Sequence, residues 1–309
     1  MMKDQVLFSI CVPTYKREYI VRDMLKSIYS QGVDTTLFEV CITDNSETDE
    51  TKDMLEKEFS GIPNLRYKKT TCKGFLNSQE ALKFGRGKFL KLHNDYSIFK
   101  TGSLRKMISL VEKYEKDKPE IFFSMGELKN DHQVEEFTTF DDFMYNIHYF
   151  STWSTSFSIW KEDLDALLQE GVDVNYMYPH TTLLYRMTGK KLYVVDDYEY
   201  VENLQPKKKG GYNLIDNFVR IYLTMVREDL LDRKIITQKT FDKIQKNIIR
   251  FTAFWYYTVK HDPEHFTFTF ENYEQLILSN CGKKFLSMFR MYYAYFAMKA
   301  FVKKILRKA

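Results

Sequence analysis

Several signatures are scarce or missing from this chain, and each gap removes a class of function. There are only four cysteines in 309 residues, Cys11, Cys41, Cys72 and Cys281, and no two form a Cys-x-x-Cys pair. That argues against a zinc site. Cys11 and Cys41 fall inside apolar runs, where a free thiol behaves as a small hydrophobe, as expected in a reducing compartment. No stretch approaches 18 uncharged apolar residues, so no transmembrane helix is expected. The opening Met1-Met2-Lys3-Asp4-Gln5 lacks the apolar centre of a signal peptide. No G-x-G-x-x-G follows the first apolar run, which argues against a dinucleotide-dependent oxidoreductase. The net charge of +4 is too small to argue for nucleic acid. Acidic residues are absent from Gly282 to Ala309, a segment with eight Lys or Arg.

What is present is a large apolar content. Hydrophobic residues make up 44% and charged residues 28%, enough for a sizeable core and too apolar for general disorder. The 22 Tyr and 25 Phe serve that core, with some available as stacking surfaces for a sugar or a base. Strand patterns cover residues 6–13, 38–43, 65–69, 88–92, 121–124, 151–160 and 191–195. Helical patterns cover 17–31, 49–59, 77–85, 102–116, 163–170 and 179–187. This alternation predicts an α/β fold, a mostly parallel sheet with helices on both faces. Residues 127–150 give no clear pattern. A basic run bounded by Pro and Gly, Gln205-Pro206-Lys207-Lys208-Lys209-Gly210-Gly211, reads as a linker or mobile loop. Beyond it only helical patterns appear, at 212–233, 238–261, 271–280 and 282–307. The expected division is therefore 1–205 and 206–309.

Two strand ends carry the functional signal. Leu7-Phe8-Ser9-Ile10-Cys11-Val12 runs into Pro13-Thr14-Tyr15, and Phe38-Glu39-Val40-Cys41-Ile42-Thr43 runs into Asp44-Asn45-Ser46. In open α/β sheets, ligands bind beyond the carboxyl ends of strands. Together with Gly74…Asn77…Gly87-Lys88-Phe89 and the strand ending Asn94-Asp95, these motifs closely resemble the family 2 glycosyltransferases of the GT-A fold. The resemblance spans about residues 6–200. It implies a GT-A nucleotide-sugar domain followed by an all-helical C-terminal extension.

The resemblance also implies roles. Pro13, Thr14 and Tyr15 would line the base of a nucleotide-sugar, most naturally a UDP-sugar, with Arg17, Asn45, Gly74, Asn77 and Asn94 around it. Asp44 would hydrogen-bond the base or ribose, a charge-assisted contact, although a helix N-cap is the alternative. Where the family carries a DxD motif for Mn or Mg, this chain has His93-Asn94-Asp95, so Asp95 is the expected ligand of a divalent cation. The alternative for Asp95 is a turn residue. Where the family places its catalytic base, an Asp in a Glu-Asp pair at a helix start, this chain reads Pro179-His180-Thr181. His180 is then the expected base, with a structural histidine as the even alternative and Asp173 the nearest carboxylate. Trp153, Ser154 and Ser156 are candidates for acceptor contact, and Lys207-Lys208-Lys209 for closure over a diphosphate.

The implied function is inverting transfer of a sugar to a hydroxyl of a glycan or lipid-linked acceptor in bacterial surface polysaccharide synthesis. A degenerate nucleotide-sugar-binding module, or a non-catalytic partner of another transferase, is the rival. In residues 282–309 the basic residues interleave with Phe285, Phe289, Tyr292, Tyr293, Phe296 and Phe301, which suits an anionic membrane surface. A helix packed on its neighbours is the plainer alternative. The expected location is cytoplasmic, extending to the inner face of the plasma membrane.

Overall fold

The computed structural model describes residues 6–129, 131, 133–204 and 209–306. Lys207 and Lys208 lie outside the described residues, as does the side chain of Lys209. The chain divides into two compact units, one of residues up to 143 together with 150–205, the other of 144–149 together with 206–309.

The first unit runs β1 (Phe8–Thr14), α1 (Glu18–Tyr29), β2 (Phe38–Asp44), α2 (Glu50–Glu58), β3 (Leu65–Lys69), α3 (Asn77–Phe84), β4 (Phe89–Leu92), β5 (Ser97–Phe99), α4 (Ser103–Tyr114), β6 (Glu120–Phe123), β7 (Val134–Phe137) and α5 (Phe140–Ile147). It continues with β8 (Ser158–Trp160), α6 (Lys161–Gln169), α7 (Pro179–Leu184), β9 (Tyr193–Asp196) and β10 (Val201–Asn203). The end of α5 groups with the second unit. The main sheet has the order β3-β2-β1-β4-β8. Its first four strands are parallel and β8 is antiparallel to β4. Because β1 and β2 are covered on both faces, they read as continuous apolar runs rather than alternating ones. Phe8, Ile10, Val12, Phe38, Val40 and Ile42 are all buried. α1 presents Ile20, Val21, Met24, Leu25 and Ile28 to this core, the 3.6-residue spacing seen in the sequence.

Two expectations need correcting. The alternation of Ser151–Trp160 is strand only at Ser158–Trp160; the preceding residues form two short 3₁₀ turns, His148–Thr152 and Ser154–Ser156. Hydroxyl-rich segments offer the backbone local alternatives to a ladder, and here Ser154 is drawn to another side chain, described below. The second correction concerns the second unit, which is not wholly helical. It comprises β11 (Lys209–Asn213), α8 (Leu223–Val226) between π-helical turns, α9 (Gln238–His261), β12 (Phe266–Thr269), α10 (Tyr273–Cys281) and α11 (Lys283–Leu306), with β11 parallel to β12. Phe266-Thr-Phe-Thr has the period of a strand but is too short to stand out between two long helices. α11 packs along α9 through aromatic side chains, Tyr256 meeting Phe289 and Tyr293, and Phe254 meeting Phe296.

Candidate functional site

The carboxyl ends of β1, β2 and β4 converge as parallel neighbours, and their polar residues close on one another. Asp95 is the centre. It is 3% exposed. Its Oδ2 accepts a hydrogen bond from Thr14 Oγ1 at 2.8 Å, and its Oδ1 accepts from Arg17 Nη1 at 3.0 Å. Burial raises the Asp95 pKa, while the Arg17 charge and the Thr14 and Arg17 hydrogen bonds pull it back. The Arg17 side chain is 32% exposed. A guanidinium has five donors in a rigid fork, so contact with Asp95 leaves donors for a ligand. Arg17 also stands 5.8 Å from the centre of the Tyr96 ring.

Asp44 sits on the neighbouring strand end and is fully buried. Its Oδ1 accepts from Ser46 N at 2.8 Å and from the Ser46 hydroxyl, and its Oδ2 from the Tyr67 hydroxyl at 3.4 Å. This is a turn closed on its own carboxylate, not a helix cap, since α2 is preceded by Asp49. The loops after β1 and β2 are joined by Asn45 N to Thr14 O (3.3 Å) and Lys16 N to Ser46 Oγ (2.7 Å). Pro13 is half-buried and Tyr15 is 46% exposed, its hydroxyl donating to Glu47.

Asn77 is placed differently from a residue that faces a ligand. It is buried, and its Nδ2 donates to Thr14 O (3.2 Å), Thr43 O (2.9 Å) and Asn45 Oδ1 (3.2 Å), while its Oδ1 accepts from Thr70. It clamps the two strand ends. Gly74 is exposed, with φ +50°, the region that favours glycine. Its carbonyl and that of Cys72 accept from Asn45 Nδ2.

The donor set does not make a self-contained metal site. Among the described residues no three His, Cys, Asp or Glu side chains are grouped to hold an ion. A hard dication seeks several oxygens, and Asp95 is a lone carboxylate with both oxygens engaged. Asn94 Oδ1 accepts from Ser154 Oγ at 2.8 Å. His93 is fully buried, stacked on Phe99, with its Nε2 hydrogen-bonded to Ser97 O. Burial, with the Lys91 charge, pushes its pKa down to about 3.

His180 stands in the first turn of α7, and the turn before that helix is closed by Asn175 Oδ1 accepting from Met177 N and Tyr178 N. It is 5% exposed, and its Nε2 lies 3.0 Å from Thr152 O. A carbonyl only accepts, so Nε2 carries the proton and Nδ1 the lone pair. Burial lowers the His180 pKa to about 4 against the Thr152 hydrogen bond. Asp173 is exposed on the loop before α7. The two ends of the site are linked through residues 152–154, since Thr152 holds His180 and Ser154 holds Asn94.

The family 2 glycosyl transferase model matches residues 9–167, more than half of the chain and every strand end described above. The chain belongs to this family. Its fold is similar to that of S. aureus TarS. For the TarS 1–349 fragment in complex with UDP-GlcNAc the TM-score is 0.57 at 14% identity, covering 95% of this chain and 92% of that one. The chain covers 43% of the longer TarS chain. The mannosyltransferase PcManGT from Pyrobaculum calidifontis, in complex with GDP-Man and Mn2+, gives a TM-score of 0.52 at 11% identity over 94% of this chain and 88% of that one. The abequosyltransferase RfbV of Salmonella typhimurium is 39% identical over 51 residues, 16% of this chain and 15% of its own length. Within this GT-A fold, sequence reasoning missed two residues that matter to the site. Ser46 holds Asp44, and a Ser two residues after an Asp is the available turn signal. Lys91 is a cation inside the apolar strand Phe-Leu-Lys-Leu, a break in pattern that was there to be read.

Proposed function

We propose that this chain is a glycosyltransferase that moves a sugar from a UDP-sugar to a hydroxyl of a glycan or lipid-linked acceptor, with inversion, in bacterial surface polysaccharide synthesis. The observation that carries this is the closure of Thr14, Arg17, Asp44 and Asp95 over adjacent parallel strand ends, with Arg17 and Tyr15 left accessible. In this reading Tyr15 and Pro13 line the base, and Asp44, held by Ser46, meets the base or ribose. Asn45, Asn77 and Gly74 hold the loop that surrounds it, and Asn94 ties it to Ser154. Arg17, oriented by Asp95, donates to the diphosphate. Asp95 remains the residue expected to hold a divalent cation; it supplies one carboxylate, and diphosphate oxygens and water would complete the shell. His180 Nδ1 takes the proton of the acceptor hydroxyl as that oxygen bonds to the anomeric carbon. The nucleoside diphosphate leaves with the electron pair of the broken glycosidic bond.

Relatives that bind UDP, UDP-GlcNAc and GDP-Man support a nucleotide-sugar donor. The deciding experiment is a thermal-shift screen of UDP, GDP and their sugars, each with Mn2+ and with a chelator. A ligand at about 100 times its Kd stabilises by roughly 2.7 kcal/mol. No shift from any of them sinks the donor reading. Replacing His180 by Ala is expected to lower kcat about 10²–10⁴-fold with donor binding spared. Binding without any turnover favours the rival, a nucleotide-sugar-binding module, for which the low basicity of His180 speaks.

The proposed site of action is the inner face of the plasma membrane. Among the described residues no helix is long and apolar enough to cross a membrane. α11 exposes Met291, Tyr295, Met298, Phe301 and Val302 beside Lys299, Lys303 and Lys304. Flotation with anionic vesicles, weakening as salt rises, is the expected result. Indifference to such vesicles at low salt removes this part of the proposal.

A further inference from the structure

Lys91 is the one residue of β4 whose chemistry does not fit its surroundings. It is fully buried, between Ile10 of β1 and Ser158 of β8 in the strand ladder. Its Nζ donates to Thr155 O at 2.7 Å and Leu92 O at 3.0 Å, and lies 5.5 Å from the centre of the Phe123 ring. Burial pushes its pKa down to about 7. Taking an amine out of water is costly, and an apolar side chain of similar length is often as stable or more so in such a place. A lysine kept there is better explained by what it holds than by what it adds to stability.

What it holds is a strap, residues 151–156. On one side α7 grips it, through His180 Nε2 to Thr152 O and Thr181 Oγ1 to Ser151 O at 2.9 Å. On the other side β4 and its loop grip it, through Lys91 to Thr155 O and Ser154 Oγ to Asn94 Oδ1. The strap therefore links the donor-side loop to His180, and its half-buried Trp153 packs edge-on against Phe150.

We propose that Lys91 is a positioning residue, the pin that fixes the 151–156 strap and with it His180 relative to the donor end of the site. This rests on the glycosyltransferase reading only for its catalytic consequence. A pin and a simple packing residue differ in what their loss does. Without a pin the strap loosens and the chemical step slows while the donor still binds. Without a packing residue the whole fold weakens and every function falls together.

The test compares wild type with Lys91→Met. Hydrogen–deuterium exchange is expected to quicken at least tenfold in peptides covering 151–156 and to stay unchanged in β1 and β2. With whichever of UDP-GlcNAc, UDP-glucose and GDP-mannose binds wild type, donor Kd is expected within twofold and kcat for donor hydrolysis at least tenfold lower. Lys91→Gln, which keeps an N–H donor, is expected to recover part of that loss. Unchanged strap exchange overturns the pin, whatever the ligand. A loss of Kd and kcat together overturns it in favour of packing. If wild type binds none of the three donors, the glycosyltransferase reading fails, and the exchange result alone decides about Lys91. Should neither Lys91 variant fold, Lys91 serves packing and the pin is overturned.

Discussion

Strands β1 and β2 end in buried polar networks at both of their termini, and the two networks are built to opposite ends. At the amino end, Glu39 is held by Ser9 Oγ (2.7 Å), Arg86 N (2.5 Å) and Arg66 Nη1 (3.0 Å). Arg66 is only 18% exposed, and its other contacts are the Phe84 carbonyl, the Cys41 sulfur and the Phe84 ring. Ser9 Oγ also accepts from Gly87 N, where a Cβ would come within 2.9 Å of Ser9 N. At the carboxyl end, Asp95 has a similar set of partners, but its arginine stays half-exposed beside an accessible tyrosine. A carboxylate–arginine pair closed on all sides serves the fold. The same pair with one open edge can serve a ligand.

The largest effect expected from this comparison is on stability. Glu39→Ala leaves the largely buried Arg66 guanidinium without its carboxylate and is expected to cost about 3 kcal/mol in denaturant unfolding, with nucleotide affinity unchanged in the protein that remains folded. Loss of affinity without loss of stability would mean that the two ends are not separate. Next comes Asp44→Ala, expected to weaken nucleotide binding by about 1.5–3 kcal/mol in calorimetry. An intact fold with unchanged affinity would return Asp44 to a turn residue. A smaller effect of the same kind is expected for Arg17→Met, which should weaken a nucleoside diphosphate more than its nucleoside; equal losses would separate Arg17 from the phosphates.

The finest contrast is in pH. Burial pushes Glu39 up, but its hydrogen bonds from Ser9, Arg86 and Arg66 outweigh burial and hold its pKa below the ordinary value. Its contribution is therefore present above the ordinary carboxylate pKa and lost as pH falls through the lowered one. Glu120 on β6 is the opposite case. It is buried with neither oxygen hydrogen-bonded, and burial raises its pKa well above the ordinary value, with Lys190 opposing. The native state keeps a proton that the unfolded chain has lost, so Glu120 destabilises increasingly as pH rises from the ordinary value towards the raised one. Glu120→Gln is expected to raise Tm at pH 7 and to leave it nearly unchanged at pH 4. A gain of equal size at both pH values would show that packing, not ionisation, is responsible.

Much of this was readable beforehand for a stated reason. The buried strands β1 and β2 and the amphipathic helices α1 and α4 carry their period in a few consecutive residues, and the strand ends announce themselves where apolar runs stop at Thr14 and Asp44. The short strands β5, β10, β11 and β12 were not readable, because three to five residues are too few for a strand pattern to stand out. The strap at 151–156 was misread because its alternation of hydroxyl-bearing and other side chains imitates a strand, while Ser154 bonds Asn94 and the backbone turns.

The sequence by itself determined which residue types stand at which strand ends, and so the family and the fold class, since these depend on local pattern and order along the chain. Only the tertiary structure decided how they are used. Asp95 meets an arginine 78 positions away, and Lys91 meets a carbonyl 64 positions away. Whether a carboxylate is closed or open, and whether a lysine is solvated or a pin, depends on which distant groups and how much water surround it, and no local pattern encodes that.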